Sequence, residues 1–245
     1  MGLGPGSVGD RTCRAVAAIQ SADVVMGYRT YLRDLADLLD GKETFASSML
    51  QEEERVVAAI DAASVGRRVA LVSSGDAGVY GMAGLVLEML ERRHLQLDLE
   101  VISGVSAANS AACRLGAPLM LDYCCISLSD LLVPWGQIAR RLSAVAQADL
   151  VLALYNPRSQ KRRQPLEEAV RILREFRSAS VPVGIVDHIG LAEETVSLTD
   201  LGHLLEQRIG MRSTVIVGNS TTRCYQGWMF TPRGYALEPP CAPSC

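Results

Sequence analysis

Residues 68–73 read RVALVS, and residues 74–81 continue SGDAGVYG. A β-branched aliphatic run of this length makes a buried strand, and the glycines at 75, 78 and 81 end it in an open loop. Residues 84–91 then take a helical reading. Strand, glycine loop and helix in that order form the repeating unit of an α/β sheet, which binds ligands outside the carboxyl ends of its strands. Glycine there lets a ligand approach the main chain closely. A ligand loop is therefore favoured over a plain turn at residues 74–81.

The same alternation returns along the rest of the chain. Strand readings fall on residues 97–102, 150–155, 181–186, 194–198 and 214–217, and helical ones on 106–115, 165–177 and 201–207. The strands are near-continuous apolar runs, which suits largely parallel sheets buried on both faces. Residues 119–136 break the rhythm, so a boundary is set near residue 118. The expected fold class is α/β, with two α/β domains at 1–118 and 119–237 and a poorly ordered, proline-bearing tail at 238–245. GLGPGS at residues 2–7 is a glycine turn of the kind that follows a strand, yet no strand precedes it. The sheet would lack an inner member, and the native protein is expected to be longer.

Composition narrows the function classes. Of the 245 residues, 49% are hydrophobic and 21% charged, the balance of a globular protein. Aromatics are 5%, so the core is aliphatic. A net charge of −3 argues against bulk binding of nucleic acid, and no apolar run reaches the roughly 18–20 residues of a membrane span. Seven cysteines, an odd number, fit reduced thiols in a cytoplasmic protein better than a disulfide framework. His94, His188 and His203 stand apart, with no metal-ligand spacing, so no metal is expected. A site drawing on Cys224, Cys241 and Cys245 is the minor alternative.

Three further stretches lie where ligands gather. GPGSVG at 4–9 has the spacing of a dinucleotide fingerprint, but Pro5 and the lack of an acidic residue ending a second strand argue against a nicotinamide site. GVSAANS at 104–110 opens a helix, where Ser106 either caps the helix or donates to a ligand, and close helix–sheet packing accounts for its small residues at least as well. YNPRS at 155–159, with Lys161, Arg162 and Arg163, sets cations at a strand end, where an anionic substrate competes with plain solvation.

Taken together and in order, GLGPGS (2–7), SGDAGVYGMA (74–83), GVSAANSAA (104–112), LYNPRS (154–159) and STVIVGNS (213–220) resemble the tetrapyrrole (corrin/porphyrin) methylase family. LSDLLVPW (128–135), YNPRSQKR (155–162) and TPRGY (231–235) resemble the branch that methylates C-17 of a corrin precursor with ring contraction, in cobalamin biosynthesis. The resemblance implies an active site in a cleft between two α/β domains and a homodimer. It implies S-adenosyl-L-methionine as methyl donor, bound folded, with S-adenosyl-L-homocysteine as product. Donor contacts are implied at Gly75, Asp76, Val79, Tyr80, Ser106, Ala107, Asn156, Ile189 and Thr214. The resemblance further implies a tetrapyrrole lying over Gly4, Pro5 and Gly6, whose carboxylates require cations, of which Arg11, Arg158, Lys161 and Arg162 come first. Ser129 and Asp130 are the candidates for proton transfer; the plain alternative for Asp130 is a charge at a helix N-terminus. The family's loop usually reads G-D-P, and Ala77 here replaces the proline, which changes the loop's stiffness. A C-11 or C-20 corrin methylase, or a protein that binds without turnover, stays open, as does whether the substrate carries cobalt.

Overall fold

The computed structural model describes residues 1–48, 51–159 and 162–236. The expected tail at 238–245, its Cys241 and Cys245, and the expected cation Lys161 lie outside the described residues. In chain order the elements are α1 (Cys13–Ser21), β1 (Val24–Tyr28), α2 (Arg29–Asp34), β2 (Glu43–Ser47), α3 (Glu52–Ser64), β3 (Val69–Leu71), α4 (Ala83–Arg93), α5 (Ala107–Leu115) and β4 (Gly116–Ala117). They continue as β5 (Tyr123–Ser127), α6 (Trp135–Gln147), β6 (Val151–Tyr155), α7 (Gln164–Arg174), β7 (Pro182–Asp187), β8 (Thr195–Asp200), β9 (Ser213–Val217), β10 (Arg223–Tyr225) and β11 (Trp228–Phe230). Two compact units result: Met1–Ser110 with His188–Thr195, and Ala111–Asp187 with Val196–Cys245.

The first unit is built on a parallel sheet in the order β2-β1-β3, with Val24 opposite both Glu43 and Val69. Val24 and Val25 are fully buried, as an inner strand of a covered sheet requires. Thr12 starts α1 by accepting from the Ala15 amide at 3.1 Å, and Ile19 on that helix packs with Val25, Leu32, Leu35 and Val72. The place expected to be vacant beside β3 is taken by the first residues of the chain. Gly2 bridges Ser73 in parallel, and the Leu3 amide donates to the Ser73 carbonyl at 2.9 Å. The strand reading at 97–102 is not realised. Ile102 is buried and its carbonyl accepts from Gly2 at 2.9 Å, but Leu95, Leu99 and Val101 point into water and no strand forms there.

The second unit holds a five-stranded sheet in the order β5-β6-β9-β7-β8. β5 and β6 are parallel, but β9 enters antiparallel to both β6 and β7, so the sheet is mixed and not largely parallel as expected. The apolar runs are nonetheless buried on both faces: Val151 to Leu154 and Val215 to Val217 are at 0% exposure. Leu142 of α6 and Leu166 and Leu173 of α7 cover the sheet; Pro165, in the first turn of α7, fixes its start. The helix expected at 201–207 shrinks to one 3₁₀ turn, Leu204–Glu206. Asp200 takes the His203 amide at 3.0 Å, and the backbone is extended again at Gln207, which stops the helix after that turn. A small sheet, β10-β11-β4, completes the unit.

Candidate active site

In the first unit, three backbone segments cross just beyond β3. The Gly4 amide donates to the Gly75 carbonyl at 3.1 Å, and the Gly75 amide to the Gly4 carbonyl at 2.8 Å. A Cβ on Gly104 would lie 2.2 Å from the Gly75 oxygen, and one on Gly2 would lie 2.4 Å from it, so both positions admit glycine alone. Gly75 is different. Its φ is +64°, and an added Cβ would meet nothing closer than the Ala107 amide nitrogen at 3.9 Å. The bare backbone of Gly75 therefore faces open space beside the first amide of α5.

The rest of the loop serves that opening. Asp76 accepts from the Gly78 amide at 2.8 Å and the Gly104 amide at 3.0 Å, so its carboxylate orders the loop. Ala77, in the family's proline position, is buried, and its carbonyl accepts from Ala83 at 3.0 Å. Val79 and Tyr80 are exposed, and Tyr80 holds a left-handed φ of +55°. The Ser106 hydroxyl lies 3.4 Å from the Asn109 amide, the capping place of α5. A second turn nests on Gly6 and Ser7: the Ile189 carbonyl lies 2.8 Å from where a Gly6 Cβ would be, and the Ser7 amide 2.6 Å from where a Gly190 Cβ would be. Ile189 itself is buried.

In the second unit, the carboxyl ends of β5 and β6 join two segments. Asn156, at φ +51°, donates from Nδ2 to the Ser127 hydroxyl at 3.0 Å, which also accepts from the Ser129 amide at 3.2 Å. The Leu128 amide donates to the Tyr155 carbonyl at 2.9 Å. Arg162 donates to the carbonyls of Leu128 and Asn156 and lies 3.6 Å from the Asp130 carboxylate. Thr214 is buried in β9, next to Val215, which pairs with Leu154. Arg158 is half-buried and has no polar partner among the described residues. The structure thus gathers Ser129, Asp130, Asn156, Arg158, Arg162 and Thr214 along one sheet edge.

Arg11 is placed otherwise. Its side chain is 5% exposed, and its guanidinium grips Asp37 at 2.7 and 2.9 Å and donates to the Asp34 carbonyl. That hydrogen bonding holds the Asp37 carboxyl below its ordinary range. A substrate carboxylate would have to compete with Asp37 for it. Sequence reasoning missed Ser127, whose hydroxyl joins Asn156 to Ser129; the signal was a hydroxyl at a strand end one segment away from YNPRS. Burial pushes the thiols of Cys124 and Cys125 up, and none of the five cysteines among the described residues forms a disulfide. Among the described residues, no three His, Cys, Asp or Glu side chains stand together as metal ligands would, and no helix is long and apolar enough to cross a membrane.

The family model of the Tetrapyrrole (Corrin/Porphyrin) Methylases matches residues 1–205. The chain belongs to this family. The methylase is 48% identical over 239 residues to the cobalt-factor III methyltransferase of Priestia megaterium, covering 96% of this chain and 44% of that one. It is 46% identical over 237 residues to the "Probable cobalt-factor III C(17)-methyltransferase" of Salmonella typhimurium, covering 97% of this chain and 98% of that one. Among solved structures it is similar to the methyltransferase CobJ, with 34% identity and a TM-score of 0.89, covering 94% of this chain and 97% of that one. The methyl donor is S-adenosyl-L-methionine. The open, side-chain-free face of Gly75, beside the Ala107 amide, fits a donor that packs directly on main chain.

Proposed function

We propose that this methylase transfers a methyl group to C-17 of cobalt-factor III, or of its metal-free counterpart precorrin-3B, with ring contraction, in cobalamin biosynthesis. The observation that carries the reading is the tie made by Arg162, which joins residues 128–130 to the loop at 156–162. Those residues belong to two of the three stretches that resemble the C-17 branch. The identities of 46–48% to proteins named for cobalt-factor III support the cobalt-bearing substrate. We also place the protein in the cytoplasm as a homodimer.

The donor, when bound, supplies an electrophilic methyl group on a sulfonium whose leaving group is a neutral thioether. Such an in-line displacement needs alignment and exclusion of water more than a strong base. That matches a site rich in fixed backbone and poor in acid–base groups. Gly75 and Ala107 present main chain to the donor, Asp76 fixes the loop, and Val79, Tyr80 and Ile189 cover it. Gly4, Pro5 and Gly6 form a side-chain-poor floor for the macrocycle. Arg158 and Arg162 hold its carboxylates, since the planar guanidinium binds a carboxylate at two points. Ser129 and Asp130, fixed through Ser127 and Arg162, move the proton that ring contraction requires. The test is incubation with labelled donor and either cobalt-factor III or precorrin-3B, followed by product mass. A singly methylated, ring-contracted product supports the reading; label in neither tetrapyrrole defeats it.

A further inference from the structure

Residues 128–135 carry a feature that the transfer chemistry leaves unexplained. Leu128 is at 0% exposure, and Val133 and Trp135 pack against the second unit's core. Between these anchors Leu131 is 71% exposed and Leu132 is 95% exposed. The frame around them is fixed: the Leu128 amide donates to Tyr155 and its carbonyl accepts from Arg162. The two leucines are therefore held out into water by a rigid support, and neighbouring large apolar side chains presented that way mark a contact surface.

The charges beside them say what kind of contact. Asp130, which directly precedes the pair, lies 3.6 Å from Arg162. Arg158, in the same loop as Arg162, has no polar partner among the described residues. Arg162 ties this segment to the loop that carries Arg158 through the Leu128 and Asn156 carbonyls, and an apolar tip with cations in the adjoining loop complements one shape above others: a flat apolar ring with carboxylates around its rim.

We propose that Leu131 and Leu132 pack on the face of the tetrapyrrole macrocycle while Arg158 and Arg162 take its peripheral carboxylates. This rests on the tetrapyrrole reading above and names the apolar half of the substrate site. The leucines add affinity through buried ring surface, and they select for a planar macrocycle over a smaller polycarboxylate.

The test uses the full chain with Leu131→Ser, Leu132→Ser and Leu132→Met. Binding of cobalt-factor III and of uroporphyrin III is followed by absorbance, S-adenosyl-L-homocysteine affinity by calorimetry, and oligomeric state by light scattering. Each serine variant should weaken macrocycle binding about 10-fold or more, the scale of burying one leucine. KM for the tetrapyrrole should rise by the same factor with kcat near wild type, donor affinity should hold, and Leu132→Met should restore binding. Unchanged macrocycle affinity in both serine variants overturns the proposal. So does a shift to a smaller assembly in those variants, which would make the tip a contact between copies. The two readings fail separately: a wild-type chain that binds uroporphyrin III through this tip yet leaves cobalt-factor III unmethylated refutes the C-17 reading alone.

Discussion

Gly75→Ala and Gly104→Ala differ by one methyl group at neighbouring points of the backbone crossing, and they should fail in opposite ways. At Gly104 the new Cβ would stand 2.2 Å from the Gly75 oxygen and 2.7 Å from the Gly2 carbonyl carbon. Main chain cannot rotate away as a side chain can, so the segments must part by about 1 Å to reach ordinary contact. That strains the Gly2 to Ile102 bond at 2.9 Å and the Gly104 to Asp76 bond at 3.0 Å. The loss should exceed about 3 kcal/mol, in the range of severe single substitutions. At Gly75 the Cβ meets nothing within 3.8 Å, its nearest neighbour being the Ala107 amide at 3.9 Å. The fold then loses only the cost of an L-residue in a left-handed conformation, about 1–2 kcal/mol. The methyl group, however, occupies the opening assigned to the donor. Overpacking of about 1–3 kcal/mol corresponds to about a 5- to 150-fold loss of donor affinity. Thermal unfolding and calorimetry with S-adenosyl-L-homocysteine measure both quantities. A folded Gly75→Ala variant with wild-type donor affinity would refute the reasoning, as would a Gly104→Ala variant of wild-type stability.

Further outcomes follow from other parts of the chain. Arg158→Ala should weaken tetrapyrrole binding by roughly 1.5–3 kcal/mol and leave donor affinity intact, with Arg158→Lys restoring only part; wild-type binding in both variants would make Arg158 a solvated side chain. The Asp37 carboxyl is held below its ordinary 3.8 by hydrogen bonding from Arg11, so its contribution to stability is complete above that value and disappears as pH falls through the lowered one. Asp37→Asn should therefore lose less stability than wild type on acidification below 3.8, and parallel acid-unfolding curves would contradict this. Thiol titration in denaturant without reductant should count all seven cysteines of the sequence, and a shortfall of two would indicate a disulfide. In the native protein Cys124 and Cys125 should react slowly and speed up as pH rises, because burial keeps both thiols protonated.

Much of the fold was legible because its signals are local. RVALVS, LVLALY and STVIV read as strands from their apolar, β-branched composition alone, and Pro165 marks the start of α7. What escaped depends on partners distant in sequence. Residues 97–102 have the alternation of a strand, but a strand needs a neighbour, and only Ile102 finds one, across the sequence at Gly2. β9 lies between β6 and β7 and antiparallel to both, and nothing inside STVIV specifies that direction. The site divides in the same way. The glycine loop and YNPRS announce themselves through turn chemistry. Ser127 does not, since its role exists only once β5 lies beside β6. Arg11 looked like a substrate cation because its partner Asp37 is 26 residues away.

Half of the strained non-glycine positions among the described residues stand in the candidate loops. Six non-glycine residues hold positive φ among the described residues, and three of them, Tyr80, Asn156 and His188, stand in the loops discussed above. A left-handed conformation costs a non-glycine residue about 1–2 kcal/mol and survives only where the surroundings over-determine it. Asn156 is fixed by Ser127 on its side chain and Arg162 on its carbonyl. His188 begins the turn whose Ile189 and Gly190 are pressed against Gly6 and Ser7. Glycine would remove the strain at each position, and around the candidate site glycine also meets two other needs. At Gly2 and Gly104 the main chains touch and no side chain fits, and at Gly75 the open face itself is the feature. Where a side chain must be kept, strain is accepted and the loop is braced. That division suits displacement at a methyl carbon, in which the rate depends on holding donor and acceptor in line and small errors of position are costly.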